Sequence, residues 1–160
     1  MRKFEKISFQ QFKKDVSDDI NLYNSIELPK RSTKKSAGYD IRSIESGIVK
    51  VGEAKSFKTG LKVCMNDDEV LYIYSRSSHG YKHNICMMNS VGVIDSDFYN
   101  NENNEGHFQI RLLNLGSKDF KVNVGDRIAQ GVFMKYLTVD DEEEIKSERK
   151  GGIGSTNKEE

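Results

Sequence analysis

The sequence has no excess of either charge. Lys and Arg number 25, and Asp and Glu also number 25, so the formal net charge is zero. A protein that binds nucleic-acid polymers usually carries a basic surplus, and we therefore predict no such partner. A small anionic ligand is not excluded, because it needs only a few focused donors and a metal ion.

Long apolar runs and cysteines are also scarce. The longest apolar runs are far shorter than the roughly 20 residues of a membrane span, and residues 1–6 lack the apolar stretch of a secretory signal. Cys64 and Cys86 have neither zinc nor redox spacing, and each lies in an apolar strand-like run, which favours buried, reduced thiols. These observations predict a cytoplasmic protein with no membrane partner.

Several common catalytic patterns are missing as well. The histidines His79, His83 and His107 lack metal-ligand spacing with cysteines or acids. Neither a Gly-x-Ser-x-Gly nucleophile turn nor a Gly-x-x-x-x-Gly-Lys phosphate loop occurs. The sequence therefore gives no support to a zinc enzyme, a serine hydrolase of that type or a P-loop enzyme.

What is present is a series of short strand patterns. Apolar and polar residues alternate over 57–63 and 108–112, while 70–74 is apolar throughout and suits an inner strand. Residues 130–139 give a final strand, and the turn signals between these segments predict an all-β barrel or sandwich. The hydrophobic content of 36% is low, which we attribute to polar tails and to a core shared between subunits.

The two ends of the chain differ from this β-rich middle. Residues 1–20 are predicted to be an N-terminal helical extension, because Ser8–Gln11 has the pattern of a capping box that opens a helix through about Val16. The β domain is expected to span 21–139. Residues 140–160 start with five acidic residues and become glycine-rich, which is typical of a solvated linker followed by a mobile arm.

Five short clusters lie where predicted strands give way to turns. In the first, 36–40 (Ser-Ala-Gly-Tyr-Asp), small residues let the backbone turn and Asp40 is suited to hold a hydrated divalent cation. A turn with an Asx hydrogen bond is the alternative interpretation. The second, 75–78 (Ser-Arg-Ser-Ser), sets a guanidinium beside hydroxyls, as in a phosphate site or a plain surface turn.

The third cluster, 89–98 (Asn-Ser-Val-Gly-Val-Ile-Asp-Ser-Asp-Phe), is the most specific. It places Asp95 directly after an apolar strand, where a carboxylate can accept a proton from water, and Phe98 three residues later, where a ring can pack against a sugar. An acidic strand end without function is the alternative. The fourth is 125–130 (Gly-Asp-Arg-Ile-Ala-Gln). The fifth, 149–156 (Arg-Lys-Gly-Gly-Ile-Gly-Ser-Thr), is either a plain tail or a segment that closes over phosphates.

In this order the five clusters resemble the motifs of the trimeric all-β dUTPase family, from about Glu27 to Asn157. The family patterns are Ala-Gly-x-Asp, an Arg-Ser pair, Gly-(Val/Leu)-Ile-Asp-x-x-Tyr, Gly-(Asp/Glu)-Arg-(Ile/Leu)-Ala-Gln and Gly-Gly-Phe-Gly-Ser. The resemblance implies a jelly-roll-like β-barrel and a homotrimer with shared active sites. It also implies Mg²⁺-assisted hydrolysis of dUTP to dUMP and pyrophosphate.

The resemblance further implies a role for each matching residue. Asp95 is expected to activate the water that attacks the α-phosphorus, and Asp40 to hold waters on a Mg²⁺ ion that the triphosphate coordinates. Asn89 and the strand backbone near Val93 are expected to read uracil, and Phe98 to pack on deoxyribose. The residues expected to bind phosphates are Arg76, Ser77, Ser78, Gln130, Arg149, Gly154 and Ser155.

Three features depart from the family pattern. Phe98 stands in place of a tyrosine, and the polar loop 100–106 (Asn-Asn-Glu-Asn-Asn-Glu-Gly) replaces a tighter turn. Ile153 replaces the tail phenylalanine that usually covers uracil. Either Ile153 covers the base less well or another aromatic residue, such as Phe120, takes over.

Two other functions remain open. A dCTP deaminase resembles this fold but needs a glutamate on the strand after the third cluster, where Arg111 stands, which argues against deamination. A dUTP-responsive regulatory protein that signals to a partner is the second alternative, because loop 100–106 and the N-terminal helix offer surface for a partner. Retention of Asp95 and of the phosphate clusters favours turnover, with regulation as an addition.

Overall fold

The computed structural model of the chain describes residues 1–143, 145, 149 and 151. Short strands dominate this part. The α-helices occur near the N-terminus and after the seventh strand, and a short 3₁₀-helix (Ser96–Phe98) follows the ninth strand. In chain order the elements are β1 (Lys3–Lys6), α1 (Phe9–Asp15), α2 (Ile20–Ser25), β2 (Lys30–Arg31), β3 (Tyr39–Arg42), β4 (Gly47–Val49), β5 (Ala54–Lys58), β6 (Leu61–Cys64), β7 (Glu69–Tyr74), α3 (Ser77–His83), β8 (Ile85–Met87), β9 (Gly92–Asp95), β10 (Gln109–Asn114), β11 (Phe120–Val122) and β12 (Arg127–Lys135).

The strands form antiparallel sheets, which confirms the predicted all-β class. The largest sheet has the order β2-β3-β12-β7-β9, and β5-β10-β8 form a three-stranded sheet. Two further pairs are β1-β6 and β4-β11. Within the described residues each sheet is open, so the barrel is approached by small sheets around one core rather than by a closed ring of hydrogen bonds.

Alternation of side chains along the strands builds the core. Phe57 of β5 pairs with Ile110 of β10, and both side chains are fully buried. Burial of a side chain of this size contributes about 1.5–3 kcal/mol. The strand predicted over 57–63 is in fact two strands, because the chain turns at Gly60, whose φ of +68° favours glycine. The last strand, predicted at 130–139, lies earlier, at Arg127–Lys135.

The predicted N-terminal helix is present as α1. The Ser8 side chain caps it by accepting the Gln11 N–H at 3.1 Å. The rings of Phe9 and Phe12 pack against Tyr23 of α2. Neither α2 nor β1 was predicted from the sequence. Because β1 pairs with β6, a sheet as well as an aromatic cluster ties residues 1–25 to the β domain.

Both cysteines are free, as predicted, but each is half-buried rather than buried. Cys64 follows the buried Val63, and Cys86 lies between two buried neighbours on β8. Because side chains alternate along a strand, a cysteine next to a core position points away from the core. No helix among the described residues is long and apolar enough to span a membrane.

Candidate active site

Strand β7 divides the predicted site residues into two groups. At one end Tyr74 pairs with Gln130 of β12, which in turn pairs with Asp40 of β3. At the other end Val70 pairs with Asp95 of β9. Four residues of extended strand span about 13 Å. Within one chain, Asp40 and Gln130 are therefore separated from Asp95 along β7.

The first group, called the arginine group, consists of Asp40, Arg76, Arg127 and Gln130. The Asp40 carboxylate lies between two guanidinium groups, with Oδ1 at 3.4 Å from Arg76 Nε and Oδ2 at 3.1 Å from Arg127 Nη1. Ser32 Oγ donates to the same Oδ2 at 2.8 Å. Burial alone would raise the pKa of Asp40, but these hydrogen bonds and the arginine charges outweigh it and hold the pKa below its usual value. Asp40 is therefore ionised.

The Gln130 side chain is fixed at the same end of β7. Its Nε2–H donates to the Ser75 carbonyl at 3.1 Å. It also passes over Gly38, where a Cβ would lie 2.5 Å from Gln130 Oε1, so any larger residue would displace the amide. Arg76 Nη1 donates to the Arg127 carbonyl at 3.3 Å. Two guanidinium groups and an amide thus converge here, which is a donor set suited to an anion.

The second cluster of the sequence continues into a helix. Ser77 and Ser78 form the first turn of α3 directly after Arg76, with Ser77 exposed and Ser78 half-buried. The preceding Ser75 Oγ accepts the Met87 N–H at 2.9 Å, which ties the segment to β8. Both serines therefore directly follow Arg76 of the arginine group, and their binding of phosphate stays a prediction.

A cavity of about 470 Å³ runs along β9, from Gly92, which pairs with Ile73 of β7, to Asp95. Its size and its mixture of apolar and polar walls are typical of a small-molecule site. Four of its lining residues form the second group, called the Asp95 group: Asn89, Val93, Asp95 and Phe98. Phe98 packs on the core, whereas the Val93 side chain is 59% exposed.

Arg149 of the C-terminal arm reaches this cavity and joins two carboxylates. Its Nη2 lies 2.5 Å from Asp95 Oδ2, and its Nε donates to Asp97 Oδ1 at 2.8 Å. The guanidinium carbon lies 6.0 Å from the centre of the Phe98 ring. No role was predicted for Asp97, because nothing in its spacing indicates that it contacts a residue 52 positions later.

Other predicted residues lie elsewhere. Gly154, Ser155 and Ile153 are outside the described residues. Phe120 lies beside the arginine group, where it lines a cavity with Arg76 and its ring is 5.1 Å from that of His79. In this chain it is therefore not next to the Asp95 group, where it would be needed to cover uracil.

The cavity also has a wall that the sequence did not predict. Asn103, Asn104 and His107 line it opposite the third cluster. The polar run 100–106 was recognised as unusual for a β domain, and that unusual composition was the only signal. Arg127 was missed in a similar way, since it lies in the fourth cluster but was given no role.

Comparison with known proteins gives consistent matches. A family model described as dUTPase matches residues 24–157. The deoxyuridine 5′-triphosphate nucleotidohydrolase of Lactococcus lactis subsp. lactis (strain IL1403) is 49% identical over 132 residues, which cover 82% of this chain and 88% of that protein. The crystal structure of a dUTPase from Streptococcus mutans has a TM-score of 0.71 and 40% identity, covering 86% of this chain and 98% of that one.

A mutant dUTPase from phage phi11 of S. aureus shares the fold, with a TM-score of 0.66 and 19% identity, over 92% of this chain and 97% of that one. The family match covers most of the chain and includes all five clusters. It is supported independently by a relative at 49% identity and by the fold. This chain belongs to the dUTPase family.

Proposed function

We propose that the chain hydrolyses dUTP to dUMP and pyrophosphate, with Asp95 as the general base. The observation that carries this proposal is the position of Asp95, at the end of β9 and on the wall of the 470 Å³ cavity. Pairing of β9 with β7 fixes the backbone there, so the carboxylate stays at the cavity wall, where it can take a proton from water once Arg149 has moved to a phosphate. A positioned base of this kind typically contributes about 10²–10⁴-fold to the rate.

The nucleoside is assigned to the cavity of the Asp95 group. Asn89 and the backbone near Val93 would read uracil, and the Phe98 ring would lie against deoxyribose. A ring in contact with that face of the sugar leaves no room for a 2′-hydroxyl, so the enzyme would reject UTP. Phenylalanine keeps this packing but gives up any hydrogen bond that a tyrosine hydroxyl would make.

The phosphates are assigned to cationic and hydroxyl groups. A triphosphate carries about four negative charges, which repel a nucleophile unless they are neutralised. Arg149 would exchange Asp95 for a phosphate oxygen, which would release the base for catalysis. The other residues assigned to the phosphates are Arg76, Ser77, Ser78, Gln130, Gly154 and Ser155.

We assign Mg²⁺ to Asp40, through water. No three His, Cys, Asp or Glu side chains come together as a metal cage in the part of the chain that the structure describes. Mg²⁺ usually keeps several waters and takes its other ligands from one or two carboxylates and from substrate phosphates. A single ionised carboxylate beside side chains that would bind the phosphates therefore fits this ion. When bound, the ion would neutralise charge on the triphosphate. A structural Mg(II) ion is described for the phage phi11 mutant.

We further propose a homotrimer in which each site combines two chains. A dUTP whose α-phosphorus lies beside Asp95 needs cations near its phosphates, yet the arginine group of the same chain lies about 13 Å away along β7. The arginine group of a neighbouring subunit would meet that need. Val93, which is 59% exposed beside Asp95, is an apolar surface that a neighbour would cover. Light scattering should give about three times the chain mass of 18.3 kDa, whereas an active monomer would refute this assembly.

Pyrophosphate release from dUTP, UTP, dTTP and dCTP tests the reaction itself. We expect rapid release from dUTP and little from the other three nucleotides. Ammonia release from dCTP would indicate a deaminase instead. That outcome is not favoured, because Arg111 occupies the position of the required glutamate, with Nη1 3.4 Å from Ser56 Oγ.

The regulatory alternative is not favoured as a replacement for hydrolysis. A protein partner would add a second role, and a pull-down with and without dUTP would identify one. We place the enzyme in the cytoplasm, where thiols stay reduced, since both cysteines are free.

A further inference from the structure

Residues 99–107, called here the asparagine loop, fold back on the backbone of Phe98. The buried Asn101 donates through Nδ2 to the Phe98 carbonyl at 2.8 Å and to Asn104 Oδ1 at 2.9 Å. Its Oδ1 accepts the N–H groups of Asn103 and Asn104, both at 3.1 Å. Gly106 has a φ of +85°, and a Cβ there would lie 2.6 Å from the Phe98 carbonyl oxygen. The asparagine loop is therefore held in a defined conformation by its own hydrogen bonds.

Glu105 fastens the outer side of this loop to helix α1. Its Oε2 accepts the Ser8 N–H at 2.9 Å, and its Oε1 accepts the Ser8 hydroxyl at 2.5 Å. Lys62 Nζ binds Glu105 Oε2 at 3.0 Å. Burial would raise the pKa of Glu105, but the hydrogen bonds from Ser8 and Lys62 outweigh it and hold the pKa below its usual value. The carboxylate is therefore charged where it meets the N-cap residue of α1.

Glu105 takes the place of a residue within the helix itself. In a capping box the third residue after the N-cap, here Gln11, accepts the N–H of the N-cap residue. In this chain Glu105 accepts the Ser8 N–H instead. A residue of the loop thus completes the cap of the N-terminal helix.

His107 makes a second attachment at the end of the loop. Its ring is buried, and Nε2 accepts the Gly60 N–H at 3.1 Å. Nε2 therefore carries no proton, and Nδ1–H donates to Asp15 Oδ2 at 2.7 Å. Burial, the largest effect, lowers the pKa of His107, although the hydrogen bond to Asp15 opposes this. A neutral histidine thus joins the loop to the end of α1.

Two more contacts run between the same segments, from Lys14 Nζ to the Asn103 carbonyl at 3.2 Å and from the Tyr99 hydroxyl to the Glu5 carboxylate. All these N-terminal partners, from Glu5 to Asp15, precede residue 24, where the match to the dUTPase family begins. The asparagine loop is therefore supported by a segment outside the family match.

The inner side of the same loop faces the site. Asn103, Asn104 and His107 line the cavity that Asp95 and Phe98 also line. The loop contributes no group that reacts, but its position sets the width of the cavity opposite the third cluster. Asp95 itself is held separately, by the pairing of β9 with β7.

We propose that Glu105 is a positioning residue for substrate binding: by fastening the asparagine loop to Ser8, it lets the N-terminal extension hold one wall of the nucleoside cavity. The inference rests on the proposed function, because it takes dUTP as the ligand. It assigns the extension a part in substrate affinity. The chemical step, which depends on Asp95, is unaffected.

Glu105→Ala tests this inference. We expect the KM for dUTP and the Kd of a non-hydrolysable dUTP analogue to rise about tenfold, the factor that corresponds to one charge-assisted hydrogen bond, while kcat stays within about twofold. Glu102→Ala is the matched control, since Glu102 is an exposed acid of the same loop. Asp19→Ala removes the N-cap of α2 and so destabilises the extension away from the loop. Both controls should keep the wild-type KM.

A double-mutant cycle identifies the partner. Because Glu105 acts through Ser8, the KM effects of Ser8→Ala and Glu105→Ala should overlap rather than add. The inference is overturned if Glu105→Ala lowers the melting temperature but leaves KM and Kd unchanged, since Glu105 would then be purely structural. A wild-type enzyme that neither binds nor hydrolyses dUTP would overturn the proposed function, and this inference with it.

Discussion

Arg149 and Asp97 are joined by a hydrogen bond of 2.8 Å between the guanidinium Nε and the carboxylate Oδ1. The same guanidinium contacts Asp95 at 2.5 Å. A triphosphate offers this arginine stronger acceptors than two half-exposed carboxylates. Substrate binding is therefore expected to move Arg149 from Asp95 to a phosphate, while Asp97 keeps the arginine close.

The two acids of the third cluster should differ sharply when each is neutralised. Asp95→Asn keeps the shape but removes the capacity to take a proton, so kcat should fall by about 10²–10⁴-fold, while binding of a non-hydrolysable analogue survives or tightens. Asp97→Asn loses only an exposed ion pair with Arg149, worth up to about 1 kcal/mol, so its kcat should stay near wild type. The opposite pattern in side-by-side assays would show that Asp97 is the base.

Truncation after Glu148 should separate folding from turnover. The fold core lies within the strands that end at Lys135, so the melting temperature should change little. Turnover should fall sharply, because Arg149 and the glycine-rich cluster are removed. A chain that ends after Thr156 keeps the fifth cluster and is the matched control. Full activity in the shorter protein would mean that the arm has no part in catalysis.

Acid should destabilise the protein through His79. Burial, together with the nearby charges of Arg76 and His83, lowers the pKa of His79 from 6.5 to about 4. Between these values the unfolded chain binds the proton and the folded protein does not, so the free energy of unfolding falls as the pH drops. The expected loss from His79 between pH 7 and pH 5 is about 2 kcal/mol.

Denaturant unfolding at the two pH values measures this loss. His79→Gln should remove most of it. His83→Gln is the control, because His83 contacts the same Phe120 ring from an exposed position. If His83→Gln, and not His79→Gln, flattens the pH dependence, then the assignment to the buried histidine is wrong.

Hydrolysis of dUTP should require Mg²⁺, and Asp40 should determine the Mg²⁺ concentration that the enzyme needs. Chelation with EDTA should abolish dUTP hydrolysis, and added Mg²⁺ should restore it. Asp40→Asn removes the charge that would hold the waters of the ion, so the Mg²⁺ concentration for half-maximal rate should rise about tenfold. Asp67→Asn, at an exposed turn, removes the same charge and should leave the Mg²⁺ titration unchanged. Hydrolysis at full rate in EDTA would exclude the metal.

The strands were largely predictable because one face of each is buried. Phe57 and Ile110 occupy alternate positions in their segments, and the structure buries both. The break at Gly60 was not predictable, since Thr59 and Leu61 continue the alternation on either side of it. Strand β1 was missed because Phe4 is its only buried residue, which is too little for a visible period.

The site residues were predictable as types but not as an arrangement. The motifs indicate Asp40, Arg76 and Asp95 as candidates, whereas the contact between Asp40 and Arg127 joins residues 87 positions apart and depends on strand register. The pairing register along β7 also separates the arginine group from the Asp95 group, and no local sequence pattern encodes that register. The link between Ser8 and Glu105, 97 positions apart, is hidden for the same reason.

The separation of the arginine group and the Asp95 group along β7 predicts complementation between two inactive variants of the chain. If each site takes Asp95 from one subunit and Arg76 from another, two inactive variants should regain activity when they assemble into mixed oligomers. In co-folded mixtures of Asp95→Asn and Arg76→Ala chains, about a quarter of the sites would draw both intact residues, one from each parent. Either variant alone would stay nearly inactive. A mixture no more active than its parents would mean that each chain builds its site from its own residues.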